Sequence, residues 1–195
     1  MKFAARTVTA TVLYAHIRQY STIVNILSLA EIHEFLNDCY AHITEPVLAH
    51  AGTIDRFADE RIVAVFAAPE SAPDNARNAI RSAGSIQQHL TEVNITWRAS
   101  LDFLVMVDIG IASGEVLSGN VGHPDKVQHT VIGRQVHLAG QLAQLCRTHN
   151  VEILTDAVTF EGTREMFEFR EFGEKLILGY PEPVAVFSPV RELLR

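Results

Sequence analysis

Nine histidines make metal binding the first chemistry that this sequence suggests. A transition metal needs imidazole or thiolate ligands at spacings that bring them together, such as H-x-x-x-H or C-x-x-C. No such pair occurs, and the loosest candidates are His16, His137 and the run from His33 to His42. His33, His42, His50, His89 and His149 fall on or at the ends of helical patterns and read as surface residues. Gly114, Gly119, Gly122 and Gly133 suggest a loop around a phosphate, but their spacing fits neither the P-loop nor the dinucleotide fingerprint. They read instead as turn glycines of a hairpin-rich sheet. Ser21, Ser113 and Ser118 stand in no strand-turn-helix elbow of the kind that exposes a nucleophile. Trp97 and Phe103 read as packing residues.

The composition sets the frame for this chemistry. The chain has 195 residues, 48% hydrophobic and 20% charged, which suits one domain over residues 1–195 with a real core. A domain of this size buries roughly 70% of the surface of its unfolded chain, so disulfides are not needed. Cys39 and Cys146 are expected as two buried free thiols. No run approaches the ~20 apolar residues of a membrane span. Met1-Lys2-Phe3-Ala4-Ala5-Arg6 passes straight into a strand pattern and does not read as a signal peptide. A cytoplasmic protein is therefore expected. A net charge of −7 argues against a nucleic-acid partner, which needs a basic surface.

The elements follow from periodicity. Thr7 to Ile17, rich in β-branched residues, predicts a buried strand. Leu29, Ile32, Leu36, Tyr40, Ile43 and Val47 recur three or four apart and predict a helix from Ser28 to His50, bent or ended early at Pro46. Thr53 to Phe57 and Ile62 to Phe66, around the polar turn Ala58 to Arg61, predict a hairpin. A helix from Asp74 to Val93 follows, with Asp74 as its N-cap. Next come a strand at Asp102 to Ile111, strands at Val116 to Asn120 and Gln128 to Ile132, and a helix at Gln135 to Thr148. Short strands are expected near Glu152 to Leu154, Phe167 to Phe172, Lys175 to Leu178 and Pro183 to Phe187. This order predicts an α+β fold, a ferredoxin-like sheet with covering helices.

Four stretches, in order and in register, carry a family resemblance. Val12 to Ser21 reads V-L-Y-A-H-I-R-Q-Y-S, and Gly52 to Phe66 reads G-T-I-D-R-F-A-D-E-R-I-V-A-V-F. Gly110 to Val116 reads G-I-A-S-G-E-V and is followed by Gly119-Asn120-Val121-Gly122. Thr130 to Ala139 reads T-V-I-G-R-Q-V-H-L-A. Together they resemble the class III adenylate/guanylate cyclase catalytic domains over about residues 7–187. That family has V-L-F-A-D-I-R-G-F-T, G-T-V-D-K-F-I-G-D-A-V-M-A-V-F and T-V-I-G-D-T-V-N-L-A at the corresponding places.

The resemblance implies attack of a ribose 3′-hydroxyl on its own α-phosphate, assisted by two divalent cations held by two aspartates. At the first aspartate's position stands His16, which offers a metal one lone pair and no negative charge. It suits Zn²⁺, Ni²⁺ or Cu²⁺ better than Mg²⁺. At the second stands Glu60, one methylene longer, beside Asp59 in place of a family glycine. Asp59 and Glu60 are either ligands or a solvated turn. The family's base-recognising Lys corresponds to Arg56 and its Asp/Thr to Thr130, a choice often seen in adenylate cyclases. Its catalytic Asn and transition-state Arg correspond to His137 and Gln141. A lost Arg of this kind is commonly worth two to three decades in rate, roughly a few kcal/mol.

The residues thus predict a cyclase-like domain in intracellular signalling, catalytically impaired, that binds a nucleotide or a partner. An active adenylate or guanylate cyclase with an atypical His/Glu metal site is the alternative, and a purely structural dimeric subunit is another. Mg²⁺ or Mn²⁺ is expected if the domain turns over and no cofactor if it does not. A transition metal at His16 and Glu60 is disfavoured. The resemblance also implies a homodimer, or a heterodimer with another cyclase-type domain, that sets Arg56, Thr130 and His137 across from the partner's His16 and Glu60. A nucleoside triphosphate is the small-molecule partner it implies; no nucleic acid and no membrane are expected.

Overall fold

The structure, a computed structural model, describes residues 4–67 and 72–193. Met1 to Phe3 of the N-terminal stretch lie outside them. The order is β1 (Ala5–Ile17), α1 (Tyr20–Ile26), α2 (Leu29–Ala49), β2 (Thr53–Ala58), β3 (Arg61–Phe66), α3 (Ala72–Trp97), β4 (Val107–His123), β5 (Lys126–Ile132), α4 (Arg134–His149), β6 (Ile153–Asp156), α5 (Ala157–Thr163), β7 (Phe167–Lys175) and β8 (Val184–Glu192). Among the described residues the strands form one sheet in the order β2-β3-β1-β4-β6-β8-β7, and β5 pairs with β4. The β2-β3-β1-β4 part is antiparallel throughout and has the ferredoxin-like order. Beyond it, β6 joins β4 in parallel, which α4 makes possible by crossing over the sheet.

β1 is central and therefore apolar on both faces. Leu13, Ala15 and Ile17 turn toward a core that includes Phe35, Cys39 and Ile43 of α2 and Ala83 and Ile86 of α3. Ala10 and Val12 turn the other way, with Val63 and Ala112, toward Leu138, Ala139 and Leu142 of α4. Between α2 and α3, Phe35 meets Trp97 edge to face at 5.3 Å, and the Trp97 Nε1–H donates to Asp38 at 2.9 Å. Both cysteines are buried free thiols, and burial pushes each thiol well above its ordinary pKa. No helix among the described residues is long and apolar enough to cross a membrane.

The structure departs from the sequence expectations in five places. α2 runs through Pro46 to Ala49, because a proline in the final turn forgoes only one intrahelical hydrogen bond. Ser28 caps the other end through a reciprocal pair with Glu31. α3 starts at Ala72, so Asp74 lies in its first turn rather than at its cap. Strand structure begins at Val107, not Asp102, and β4 then continues unbroken to His123. Gly114 and Gly119 are therefore not turn glycines. Gly114 has φ +152° and lies under the Gln135 side chain, and a Cβ on Gly119 would meet Ala5 at 2.5 Å. At the end of the chain, Phe167 to Lys175 is one strand instead of two and β8 extends to Glu192. The short helices α1 and α5 had no counterpart in the periodicity.

Candidate functional site

His16 is the penultimate residue of β1, opposite Arg61 of β3 and Asp108 of β4. The next residue ties the strand to the hairpin turn, since the Ile17 N–H donates to the Glu60 carbonyl at 2.8 Å. The antiparallel register thus brings the end of β1 and the Asp59-Glu60 turn together. Asp59 adopts φ 51°, the left-handed conformation that suits the family glycine and that aspartate tolerates better than most residues. Its carbonyl accepts from the Tyr40 hydroxyl at 2.8 Å, and Tyr40 stacks on Phe57. Burial, reinforced by the carboxylates of Asp59 and Glu60, raises the pKa of both Tyr20 and Tyr40.

The donor set at this end does not fit a two-cation centre. The Asp59 side chain is exposed on the turn, and Glu60 lies 3.5 Å from the Arg61 guanidinium. Asp108, the buried carboxylate opposite His16, is taken by Arg18, whose Nε donates to it at 2.7 Å. Arg18 is held further by the Val151 carbonyl at 3.1 Å. Among the described residues no three His, Cys, Asp or Glu side chains are gathered to hold a metal.

The other predicted residues converge elsewhere. Arg56 on β2, Gly133 at the start of α4, and His137, Gln141 and Gln144 along α4 line one cleft of about 420 Å³, with Tyr14 of β1 at its base. His137 and Gln141 are one turn apart and so share a face. The helix that carries them sits close on the sheet: Gly140 packs on the Tyr14 ring, and Gly110 of β4 leaves no room for a side chain beneath Ala139. His137 Nε2 is 3.3 Å from the Leu178 carbonyl, and the Tyr180 hydroxyl donates to the Arg134 carbonyl at 2.6 Å. The segment between β7 and β8 thereby packs against the start of α4.

Arg56 and Thr130 meet through a residue that the sequence reading passed over. The Asp55 carboxylate accepts from Arg56 Nη1 at 2.6 Å, from the Thr130 hydroxyl at 2.8 Å and from the Val131 N–H at 2.9 Å. Arg56 Nη1 also donates to Thr130 Oγ1 at 2.6 Å. Asp55 sits where the β2–β3 register slips between Ile54 and Arg56, and this bulge frees it from the ladder to reach β5. The signal available in the sequence was an acid inside a half-apolar strand, next to a base.

The chain carries all these positions in one molecule, but in two separate places: the β1 end with its turn, and the cleft under α4. Residues 3–187 match the family described as the adenylate and guanylate cyclase catalytic domain. Adenylate cyclase 1 of Rhizobium meliloti is 26% identical over 180 residues, 92% of this chain and 27% of that protein. An uncharacterized protein of Mycobacterium tuberculosis is 32% identical over 168 residues, 84% of this chain and 28% of that protein. The chain thus spans about a third or less of the length of these relatives. Among solved structures, the adenylyl cyclase CyaB from P. aeruginosa superposes with a TM-score of 0.89 at 24% identity, covering 96% of each chain. The guanylyl cyclase Cya2 superposes at 0.79 with 26% identity, covering 97% of this chain and 94% of that one. With the ferredoxin-like sheet, the hairpin at the end of β1 and the residues of α4 all in the family's order, this chain belongs to the adenylate and guanylate cyclase catalytic domain family.

Proposed function

We propose that this domain binds a nucleoside triphosphate in the cleft under α4 but cyclises it poorly, and serves intracellular signalling together with a second cyclase-type domain. The observation that carries the reading is the charge of the cleft. Of its lining residues, Arg56 alone is permanently cationic, and the α4 positions that would face the reacting ribose and phosphate are His137 and Gln141. A glutamine offers neutral amide N–H donors where a guanidinium would bring a full charge to the transition state. The volume of the cleft suits a small-molecule ligand.

The metal half points the same way. The family reaction needs Mg²⁺ or Mn²⁺ gripped by carboxylates, whereas His16 contributes a neutral imidazole and Asp108 is neutralised by Arg18. A solved guanylyl cyclase domain of similar fold is described as a non-canonical dimer, so the pairing proposed here rests on the family resemblance. In a two-fold pair of the present chain, the β1 end of one copy would face the α4 cleft of the other, and each shared site would carry the same replacements.

The test is purified protein titrated with ATP and GTP in Mg²⁺ and in Mn²⁺, with binding and cyclic product measured in parallel. Binding is expected, with turnover undetectable or several decades below an intact relative. The double change His16→Asp and Gln141→Arg is expected to raise turnover. Robust cyclic-nucleotide production by the unmodified protein would overturn the impaired reading, and absence of nucleotide binding would leave the structural subunit.

A further inference from the structure

We propose that a second cleft, between α3 and β8, is a binding site for a small amphipathic carboxylate, with the acid group on Arg81 and the apolar body over Gly84. The inference is independent of the nucleotide reading, because this cleft shares no lining residue with the one under α4. α3 packs on the face of β1 that carries Leu13, Ala15 and Ile17, and α4 packs on the other.

Gly84 lies in the middle of α3, where a glycine weakens a helix relative to alanine. Elsewhere in the chain a close neighbour accounts for such a residue, as Ala139 does for Gly110. A Cβ on Gly84 would meet nothing within 4 Å. No group of the protein therefore requires the missing side chain, and the space above Gly84 belongs to a cleft of about 500 Å³. That volume lies in the range of small-molecule sites. Ile80 and Phe167, both buried in the core, form part of its wall, and Val190 leaves an exposed apolar side chain at its edge.

The polar side of the cleft already holds a carboxylate. Arg81 grips Glu192, the last residue of β8, with Nη2 at 2.6 Å from Oε1 and Nε at 3.0 Å from Oε2. This two-pronged contact is the geometry in which a guanidinium recognises a carboxylate. Arg77 adds Nη2 at 3.3 Å from Oε1, so two guanidinium groups converge on one acid. The Arg81 and Glu192 side chains are 35% and 34% exposed, and an ion pair so open to water contributes little to stability. Exchange of Glu192 for the carboxylate of a ligand is therefore nearly neutral, and burial of the ligand's apolar body on Ile80, Phe167 and Val190 supplies the net gain. A ligand without the acid would leave Glu192 in place and gain only the apolar contact.

The experiment follows amide NMR shifts of the full chain during titration with phenylbutyrate and, separately, with phenylbutanol, which has the same body without the acid. Phenylbutyrate is expected to shift the Gly84, Ser85 and Val190 amides with half-saturation at about a millimolar or below. Phenylbutanol is expected to bind about tenfold more weakly. Gly84→Leu, which fills the cleft, should abolish binding without lowering the melting temperature. Arg81→Gln should bring acid and alcohol to the same affinity. Glu192→Gln should have the opposite effect and tighten phenylbutyrate severalfold, since the competing acid is gone. No saturable shift in the parent up to about 10 mM would overturn the inference. Equal affinity of the parent for acid and alcohol, or unchanged binding by Gly84→Leu, would overturn it as well. Each of these results leaves the nucleotide reading untouched.

Discussion

Gly110 of β4 lies directly beneath Ala139 of α4, so close that a Cβ on the glycine would overlap the Ala139 carbonyl and press on the Ala143 nitrogen at 2.5 Å. The neighbouring atoms are helix backbone and cannot swing aside as a side chain would. The contact sets the height of α4 above the sheet and, with it, the positions of His137 and Gln141. Gly110→Ala is expected to destabilise the fold by about 1–3 kcal/mol, the range for overpacking a filled core. Urea unfolding followed by circular dichroism checks this, and an unchanged midpoint would mean that α4 can ride outward at no cost.

The pair Arg18–Asp108 leads to a second expectation. Their side chains are 13% and 4% exposed, so each depends on the other for compensation. Arg18→Ala would leave the Asp108 carboxylate buried without its cation, a loss of about 3–5 kcal/mol. Adding Asp108→Asn to Arg18→Ala should recover part of that loss, because the orphaned charge disappears. A double-mutant cycle in urea measures the coupling, and additive effects would contradict the pairing.

Asp156 supplies a pH dependence whose sign can be worked out. Its Oδ1 accepts from the Thr159 N–H and hydroxyl and from the Ser113 N–H, which ties α5 and β6 to β4. Burial nevertheless outweighs these bonds and raises its pKa from 3.8 to about 6. The folded state therefore holds this proton more tightly than the unfolded chain. Its contribution to stability is fully present below about pH 4 and is lost as the pH rises through about 6. The loss at neutral pH is on the order of 3 kcal/mol. Asp156→Asn keeps an oxygen acceptor without the ionisation, so it should flatten the slope between those limits and be no less stable than the parent at pH 7. Urea midpoints of both proteins across the window decide it, and parallel curves would refute it.

Much of the fold could be read from the sequence because its main elements are periodic. β1, the β2–β3 hairpin, α2 and α4 each announce a face through apolar spacing, and they fall within a few residues of where they were expected. α1 and α5 are seven residues each, too short to show a stripe. Glycine usually punctuates a strand and so predicts a break within β4; in this strand Gly114 and Gly119 serve close approach instead. The site was legible only as single positions. That Arg56, His137 and Gln141 line one cleft, while His16 and the Asp59-Glu60 turn lie elsewhere, depends on strand order and on the height of a helix. Asp108 and Asp55 were both missed, since each takes its meaning from a partner distant in sequence.

The bulge at Asp55 has a genetic counterpart. Ile54 pairs with Ala64 and Arg56 with Val63, which are consecutive on β3, so Asp55 is the one residue of β2 without an opposite number. Loss of its codon would join Ile54 to Arg56 with every remaining pair intact and every side chain on its present face. A one-residue deletion on either side of it, by contrast, would displace a paired residue. The hairpin is thus written so that the residue holding Arg56 and Thr130 can be added or removed as a single codon, while the ladder that carries it stays in frame.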